Sequence, residues 1–260
     1  MSPADPKPGD GIAGTSFHIE WHEELDSTNT RAMSLAGQEG IVLPLLIGAT
    51  RQTAGRGRGQ NVWWSADGAL LFSLLFNPLD SGVPFPHWPQ LALTTGLAVA
   101  DTLEQFVPPA LVQLKWPNDV YVGGRKICGI LAEVPPGRAN RLVIGIGLNV
   151  ANSFAAAPAD VQASATSLKD QLGDRCPNLC AVLTVLISRW EFWLKQLAAG
   201  EIDFPTIWRP KCYLTGHRVT ITVGDASQTG TCLGLDPDGV LLLETPHGVQ
   251  RILAGTVRRV

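Results

Sequence analysis

Short apolar runs separated by turn residues occur along much of this chain and predict strands. In the earliest run Phe17, Ile19 and Trp21 alternate with polar residues, as in a half-buried strand. Gly123-Gly124 is a strong hairpin signal between two further strands, 119–122 and 126–134. The remaining runs with strand character are 43–50, 69–76, 111–115 and 142–150.

Helical segments alternate with these strands. Residues 90–106 are predicted to be helical, with Pro89 near the start and Pro108 beyond the end. Residues 178–199 are predicted to form a long amphipathic helix that Gly200 ends. A shorter helix is expected to begin at a cap provided by Ser27 or Thr28 and to close at Gly37. This mixture of helices and hairpins indicates an α+β domain.

The pattern changes after Trp208-Arg209-Pro210, and we place a domain boundary near residue 212. Beyond it, short β-like runs are separated by turns such as Asp236-Pro237-Asp238-Gly239. This spacing predicts a small barrel or sandwich over 212–260, after a larger domain over 16–211.

Composition permits a packed core and argues against some classes of partner. Of 260 residues, 45% are hydrophobic and 17% charged, as in a globular chain. A net charge of −3 and a pI near 5.9 give no support for nucleic-acid binding. The longest apolar stretch, 179–187, is too short to span a membrane. Residues 1–15 lack the apolar core of a signal peptide, and we expect a disordered tail there.

The cysteines indicate a reducing compartment. Their number, five, is odd and their spacing is irregular, which argues against a disulfide framework. Cys176 and Cys180 lack the second pair or nearby histidine that a zinc site requires. We therefore expect free thiols and a cytoplasmic location.

Three segments concentrate the chemistry: 51–59, 115–119 and 125–131. The first, here called the Gly-Arg loop, alternates arginines with glycines, and the others add two lysines, an amide and a carboxylate. Glycine lets backbone approach a ligand closely, and arginine offers a planar fork of donors for carboxylate and phosphate. The set predicts a site for a substrate with several anionic oxygens. An RNA-binding Arg-Gly tract is a weak alternative, since the repeats are few and the chain is acidic.

These segments belong to a series of motifs that resembles the biotin protein ligases, the biotin–acetyl-CoA-carboxylase ligase family. The resemblance spans about residues 17 to 260, and it implies a biotin/lipoate-ligase-like catalytic domain with a mixed sheet and flanking helices, followed by an SH3-like C-terminal domain. The motifs are Asp26-Ser27-Thr28-Asn29, Gln52 before the Gly-Arg loop, Lys115-Trp116-Pro117-Asn118-Asp119, Arg125-Lys126-x-x-Gly129-Ile130-Leu131 and Gly145-x-Gly147-x-Asn149.

The resemblance implies an ATP-dependent reaction in two steps. Biotin and ATP, with Mg²⁺, form biotinoyl-5'-AMP and pyrophosphate, and a lysine of a biotin carboxyl carrier protein then attacks the adenylate. The carrier would belong to acetyl-CoA carboxylase or another biotin-dependent carboxylase. Too few residues precede the first strand for the DNA-binding domain of bifunctional family members. We therefore expect no nucleic-acid or membrane partner, and either a monomer or a homodimer.

The resemblance also assigns residues to the reaction. Lys126, Arg56 and Arg58 are the expected catalytic residues, with Lys126 stabilising charge between the biotin carboxylate and the α-phosphate. Asp119 is the candidate ligand of Mg²⁺. The expected biotin contacts are Ser27, Thr28, Asn29, Gln52, Arg56, Gly57, Arg58, Lys126 and Gly129. The expected ATP contacts are Lys115, Asn118, Asp119, Trp63 and Asn149.

Some of these residues have a purely structural alternative. Ser27 and Thr28 could serve only as helix caps. Asn118-Asp119 could shape the turn that follows Pro117. Trp64 competes with Trp63 for the place beside adenine, and the sequence does not choose between them.

Three other functions fit parts of the sequence. A lipoate ligase or octanoyltransferase shares the fold and the acyl chemistry, but the complete Gly-Arg loop together with 115–119 favours biotin. A biotin-responsive repressor would need a DNA-binding domain. An inactive biotin-binding paralogue would have no need of Lys126 and both loop arginines.

Overall fold

A seven-stranded mixed sheet forms the larger part of the molecule. The computed structural model describes residues 15–260, so the tail predicted for 1–15 lies outside the described residues apart from Thr15. The sheet order is β1-β2-β3-β7-β6-β5-β4, with β1 and β2 parallel and the other neighbours antiparallel. The strands are β1 (His18–Leu25), β2 (Leu45–Gln52), β3 (Ala69–Phe76), β4 (Val112–Lys115), β5 (Asp119–Val122), β6 (Arg125–Glu133) and β7 (Leu142–Asn149).

Helices cover both faces of this sheet. The even-numbered residues of β3, from Leu70 to Phe76, belong to the main core together with two long helices, and Phe76 meets Trp190 edge-on at 5.1 Å. Leu75 and Val143 point the other way and pack on the first helix. Because β3 is buried on both faces, its sequence is apolar at every position except Ser73. The helices are α1 (Thr28–Ala36), α2 (Leu91–Leu103), α3 (Ala159–Ser164), α4 (Leu168–Leu172), α5 (Leu179–Ala199) and α6 (Phe204–Trp208).

A second, five-stranded antiparallel sheet follows α6, in the order β11-β10-β9-β8-β12. It packs against the larger part of the molecule, where the Trp116 indole Nε1 donates a hydrogen bond to the Gly239 carbonyl at 3.1 Å. The predicted fold class, a mixed sheet with helices followed by a small all-β domain, is confirmed. Its strands are β8 (Arg218–Val223), β9 (Ala226–Leu235), β10 (Leu241–Thr245), β11 (Gly248–Ile252) and β12 (Thr256–Arg259).

Local turn and cap signals predicted several element ends correctly. Gly123 and Gly124 both have positive φ, 59° and 76°, as the predicted hairpin turn requires. Asn178 caps α5, and Gly200 ends it at a φ of 69°. The helix predicted over 90–106 is shorter, since a 3₁₀ turn precedes Leu91 and the helix ends at Leu103.

The short helices α3, α4 and α6 were not predicted, because five or six residues are too few to show a helical period. Among the described residues, no helix combines the length and apolar character needed to cross a membrane.

Candidate active site

A cavity of about 170 Å³ opens beside the sheet face that carries α1, near the second sheet. Thirteen of the fourteen residues predicted to act in the reaction line it, and the C-terminal strand β12 adds Thr256 and Val257. The thirteen are Ser27, Thr28, Asn29, Gln52, Arg56, Gly57, Arg58, Trp63, Lys115, Asn118, Asp119, Lys126 and Gly129.

The Gly-Arg loop forms a narrow hairpin over this cavity. Arg56 pairs with Val62 as an isolated bridge, and the Gly57 amide donates to the Asn61 carbonyl at 2.8 Å. A side chain at Gly55 would bring its Cβ within 2.5 Å of the Trp63 carbonyl, and Gly59 adopts a φ of 61°. These glycines are therefore needed to fold the loop on itself.

The two loop arginines have different partners. Arg56 Nη2 donates to Glu133 Oε1 at 2.7 Å. Arg58 Nη1 donates to the carbonyl of Gly255, in the C-terminal domain, at 3.1 Å and lies 3.5 Å from Asn118 Oδ1. Arg58 thus links the loop, the 115–119 segment and the C-terminal domain around one cavity.

A bulge in the β5–β6 hairpin sets the position of Lys126. The register shifts between Val120 and Tyr121, so Tyr121 pairs with Lys126 while Asp119 pairs with Gly129. Without the shift, Lys126 and Gly129 would project from opposite faces of the sheet. The bulge places both on the cavity side, where Lys126 Nζ lies 2.6 Å from Asp119 Oδ1.

Lys115 supplies a second ammonium on the same face, directly across from Asp119 in the β4–β5 pair. Burial lowers the pKa of Lys115. Asp119 opposes that shift, and the nearby cations of Lys126 and Arg258 add to it. Lys115 Nζ donates to the Tyr121 hydroxyl at 3.3 Å. The site therefore gathers more positive charge than its one lining carboxylate neutralises, which suits a polyanionic ligand.

Two glycines form the floor of the cavity. Gly129 on β6 pairs with Gly147 on β7, and the Trp63 indole lies over both. A Cβ at Gly147 would come within 2.6 Å of that ring. An indole thus occupies the space over Gly129, one of the predicted biotin contacts. Trp64 turns away and packs on Phe154 with ring centroids 5.7 Å apart.

The start of α1 forms the opposite wall. Ser27 occupies the N-cap position, but its hydroxyl makes no capping bond, so the cap alternative is wrong for its side chain. The Thr28 amide donates to Gln52 Oε1 at 2.7 Å, and its hydroxyl lies 3.2 Å from the same oxygen. Gln52 and Thr28 therefore present a connected set of donors and acceptors to the cavity.

Asn149 is the one predicted residue that does not line the cavity. It is buried at the end of β7, and Asn152 Nδ2 donates to its side-chain oxygen at 3.1 Å. Conversely, the sequence did not indicate Ser73 or Glu133. Ser73 is hydrogen-bonded to Thr28 and Asn29, and Glu133 accepts a hydrogen bond from Arg56. No local signal marks them, because Ser73 interrupts an apolar strand and Glu133 ends one.

Asp119 is the only acidic side chain among the residues that line the cavity. Within residues 15–260, no group of three or more His, Cys, Asp or Glu side chains could enclose a metal ion. Mg²⁺ commonly binds through one or two carboxylates plus substrate phosphates, so Asp119 fits such a shared site rather than an all-protein cage.

Comparison with known proteins gives the family. Residues 21–149 match the model of the biotin/lipoate A/B protein ligase family, and residues 215–258 match the biotin protein ligase C-terminal domain.

The relatives cover most of the chain. The biotin–acetyl-CoA-carboxylase ligase of Mycobacterium tuberculosis is 35% identical, over 90% of this chain and 86% of that protein. The bifunctional ligase/repressor BirA of Bacillus subtilis is 30% identical, over 92% and 73% respectively. A biotin protein ligase from Aquifex aeolicus, solved with biotin and ATP, superposes with a TM-score of 0.80 at 32% identity, covering 94% of this chain and 99% of that one. The chain therefore belongs to the biotin protein ligases of the biotin/lipoate A/B protein ligase family.

Proposed function

We propose that this enzyme joins biotin to ATP as biotinoyl-5'-AMP, releases pyrophosphate and transfers the biotinoyl group to a lysine of a biotin carboxyl carrier protein. The observation that carries the proposal is the meeting of Lys115, Lys126 and Arg58 around a single cavity whose floor is Gly129 and Gly147 beneath the Trp63 indole. Cations and an apolar slot together match a ligand with a neutral ring system at one end and phosphates at the other.

Forming the adenylate brings a carboxylate against an α-phosphate, and both are negative. A cation fixed between them stabilises the charge that builds in the transition state. Lys126 suits this role, because the bulge aims its ammonium into the cavity and Asp119 holds it in place. Arg56 and Arg58 approach from the loop above, where their guanidinium groups can bind the same oxygens.

Biotin recognition needs hydrogen bonds to an uncharged ureido group inside an apolar slot. Ser27, Thr28 and Gln52 offer these groups at one wall. Asn29 lines the cavity beside them and accepts a hydrogen bond from Ser73 Oγ at 2.6 Å. The present cavity is smaller than most small-molecule sites, which measure roughly 300–1,000 Å³. Ligand binding therefore requires the Trp63 indole to leave Gly129 and Gly147, and the freed ring can then cover the nucleotide.

The nucleotide is assigned to Lys115, Asn118 and Asp119, with Trp63 near the adenine. Asn149 is left out of this assignment, because it does not line the cavity. Lys115 and Lys126 would hold the phosphates, and Asp119 would hold Mg²⁺ together with them. When bound, this ion neutralises phosphate charge and orients the pyrophosphate leaving group. Asn118 Nδ2 donates to the Ile130 carbonyl at 2.7 Å, so its amide is fixed at the cavity wall.

The transfer step needs no nucleophile from the ligase itself. The carrier's lysine amine attacks the acyl carbonyl and AMP departs. Cys128 is the thiol nearest Lys126 in sequence, but it is buried, and burial raises its pKa. A buried, protonated thiol is a poor nucleophile. The assignment of acetyl-CoA carboxylase as owner of the carrier follows the names of the relatives.

Exchange of labelled pyrophosphate into ATP tests the first step. We expect exchange that depends on biotin and is not supported by lipoate or octanoate. Exchange with lipoate and none with biotin would assign the chain to a different acyl substrate.

A further inference from the structure

A chain of hydrogen bonds runs beneath the biotin end of the cavity and connects Arg56 to Gln52. Ser73 Oγ lies 2.8 Å from Thr28 Oγ1, and Thr28 in turn bonds Gln52. At the other end Glu133 bonds Arg56. Asn29 closes the gap between Ser73 and Glu133. Arg56 and Gln52 are therefore joined through four side chains, two of which, Ser73 and Glu133, are not predicted to touch the substrate.

The Asn29 amide has a single orientation. Its Nδ2 donates to Glu133 Oε2 at 2.9 Å and to the Leu131 carbonyl at 3.3 Å, and its Oδ1 accepts from Ser73 Oγ at 2.6 Å. A flipped amide would direct its oxygen at two acceptors, Glu133 and Leu131. Gly145 leaves the space for this amide, since a Cβ there would overlap Asn29 Oδ1.

Glu133 is the branch point of the chain. Each carboxylate oxygen has its own partner, Oε1 with Arg56 at 2.7 Å and Oε2 with Asn29 at 2.9 Å. Asn29 is 3% exposed and Ser73 is fully buried, so one side of Glu133 is fixed by the protein core. The other side holds an arginine of the Gly-Arg loop, whose side chain is 42% exposed.

We propose that Glu133 is a positioning residue, which anchors Arg56 to the buried Asn29–Ser73 pair and so reduces the freedom that the Gly-Arg loop must lose when the ligand binds. The inference rests on the proposed function. Without this anchor, ligand binding would have to supply more of the free energy that ordering the glycine-rich loop costs. The loss would then fall on biotin affinity and adenylate retention rather than on the chemical step.

Glu133→Gln tests this directly. A glutamine cannot accept from both Arg56 and Asn29, so one charge-assisted hydrogen bond is lost. We expect KM for biotin to rise about tenfold or more and labelled adenylate to leave the enzyme faster, while kcat at saturating biotin changes less than about threefold. The matched control is Glu20→Gln. Glu20 lies on β1 of the same sheet and pairs with Arg31 of α1 at similar exposure, and neither residue lines the cavity. It should behave as the wild type.

A double-mutant cycle distinguishes positioning from general destabilisation. In an Arg56→Ala background, Glu133→Gln should add little to KM, because the partner is already gone. Should Glu133→Gln fail to fold, Ser73→Ala removes the next link, and it should raise KM for biotin with kcat retained. Additive effects in the cycle, or an unchanged KM in the folded variant, would overturn the inference. Absence of biotin-dependent adenylate formation in the wild type would instead refute the proposed function.

Discussion

The ammonium of Lys126 lies 2.6 Å from Asp119 Oδ1, and a β-bulge in the strand pair that carries them is what brings both to one face. In this arrangement the cation is held by a carboxylate that the proposal also assigns to Mg²⁺. The pair therefore places the catalytic cation, Lys126, next to the proposed Mg²⁺ ligand, Asp119.

Lys126→Ala should reduce adenylate formation on the order of 10²–10³-fold, because it removes a donor aimed at developing charge. Biotin affinity should change far less, since the ureido contacts remain. Pyrophosphate release and equilibrium biotin binding measure the two effects separately. Lys169→Ala is the matched control, because it breaks an exposed Lys–Asp pair, with Asp174, away from the cavity. An unchanged rate of pyrophosphate release in Lys126→Ala would remove the central catalytic assignment.

Loss of the positive charge of Lys115 should weaken ATP binding at alkaline pH and so set the upper pH limit of the reaction. Its pKa is lowered by burial, so the folded enzyme loses this positive charge at a lower pH than an exposed lysine would. We expect KM for ATP to rise in an alkaline pH range that lies below the one in which an exposed lysine loses its proton. Lys115→Arg keeps the charge throughout this range and should move the limit upward. Lys195→Arg, at an exposed position on α5, is the control. The same alkaline limit in Lys115→Arg and the wild type would show that another group sets it.

The Gly-Arg loop should be protected by the adenylate. Arg51, Arg56 and Arg58 are potential trypsin sites, and glycine makes the loop costly to order. We expect rapid cleavage without ligand and strong protection by biotinoyl-5'-AMP or a stable analogue. Arg58→Ala removes the contacts with Gly255 and Asn118, so it should weaken this protection and release adenylate that labels bystander lysines. Equal cleavage with and without ligand would contradict this account of the loop.

Gly145→Ala should impair biotin binding without preventing folding. The added methyl group overlaps Asn29 Oδ1 and must push the amide off Ser73. We expect KM for biotin to rise about tenfold. This corresponds to the loss of one hydrogen bond between uncharged groups, worth ~1.4 kcal/mol. Gly96→Ala is the control, because its nearest neighbour, Leu114 Cδ2, is 3.6 Å away and alanine favours a helix interior. If Gly145→Ala bound biotin normally, Asn29 would not be needed in its present position.

Features that depend on local sequence were predicted well. The Gly123-Gly124 hairpin and the ends of α5 follow from residues that favour particular backbone angles or caps. The predicted cavity-lining residues came from four separate segments, 27–29, 52–63, 115–119 and 126–129. That these segments meet at one cavity depends on the fold, and the fold was predicted from the family resemblance.

Features that depend on tertiary register were not predicted. The bulge that turns Lys126 toward Asp119 shifts the strand pairing by one residue, and nothing in 119–129 marks it. Glu133 and Ser73 acquire their partners from elements far away in the chain. Trp63 fills the space over Gly129 because Gly147 lies opposite, a relation visible only once β6 and β7 are paired.

Mass analysis of a purified biotin carboxyl carrier domain, incubated with this enzyme, biotin, ATP and Mg²⁺, tests the central claim most directly. We expect one added biotinoyl group on one lysine, dependent on ATP and lost when Lys126 is replaced by alanine. An unmodified carrier, or equal modification when lipoate replaces biotin, would contradict it.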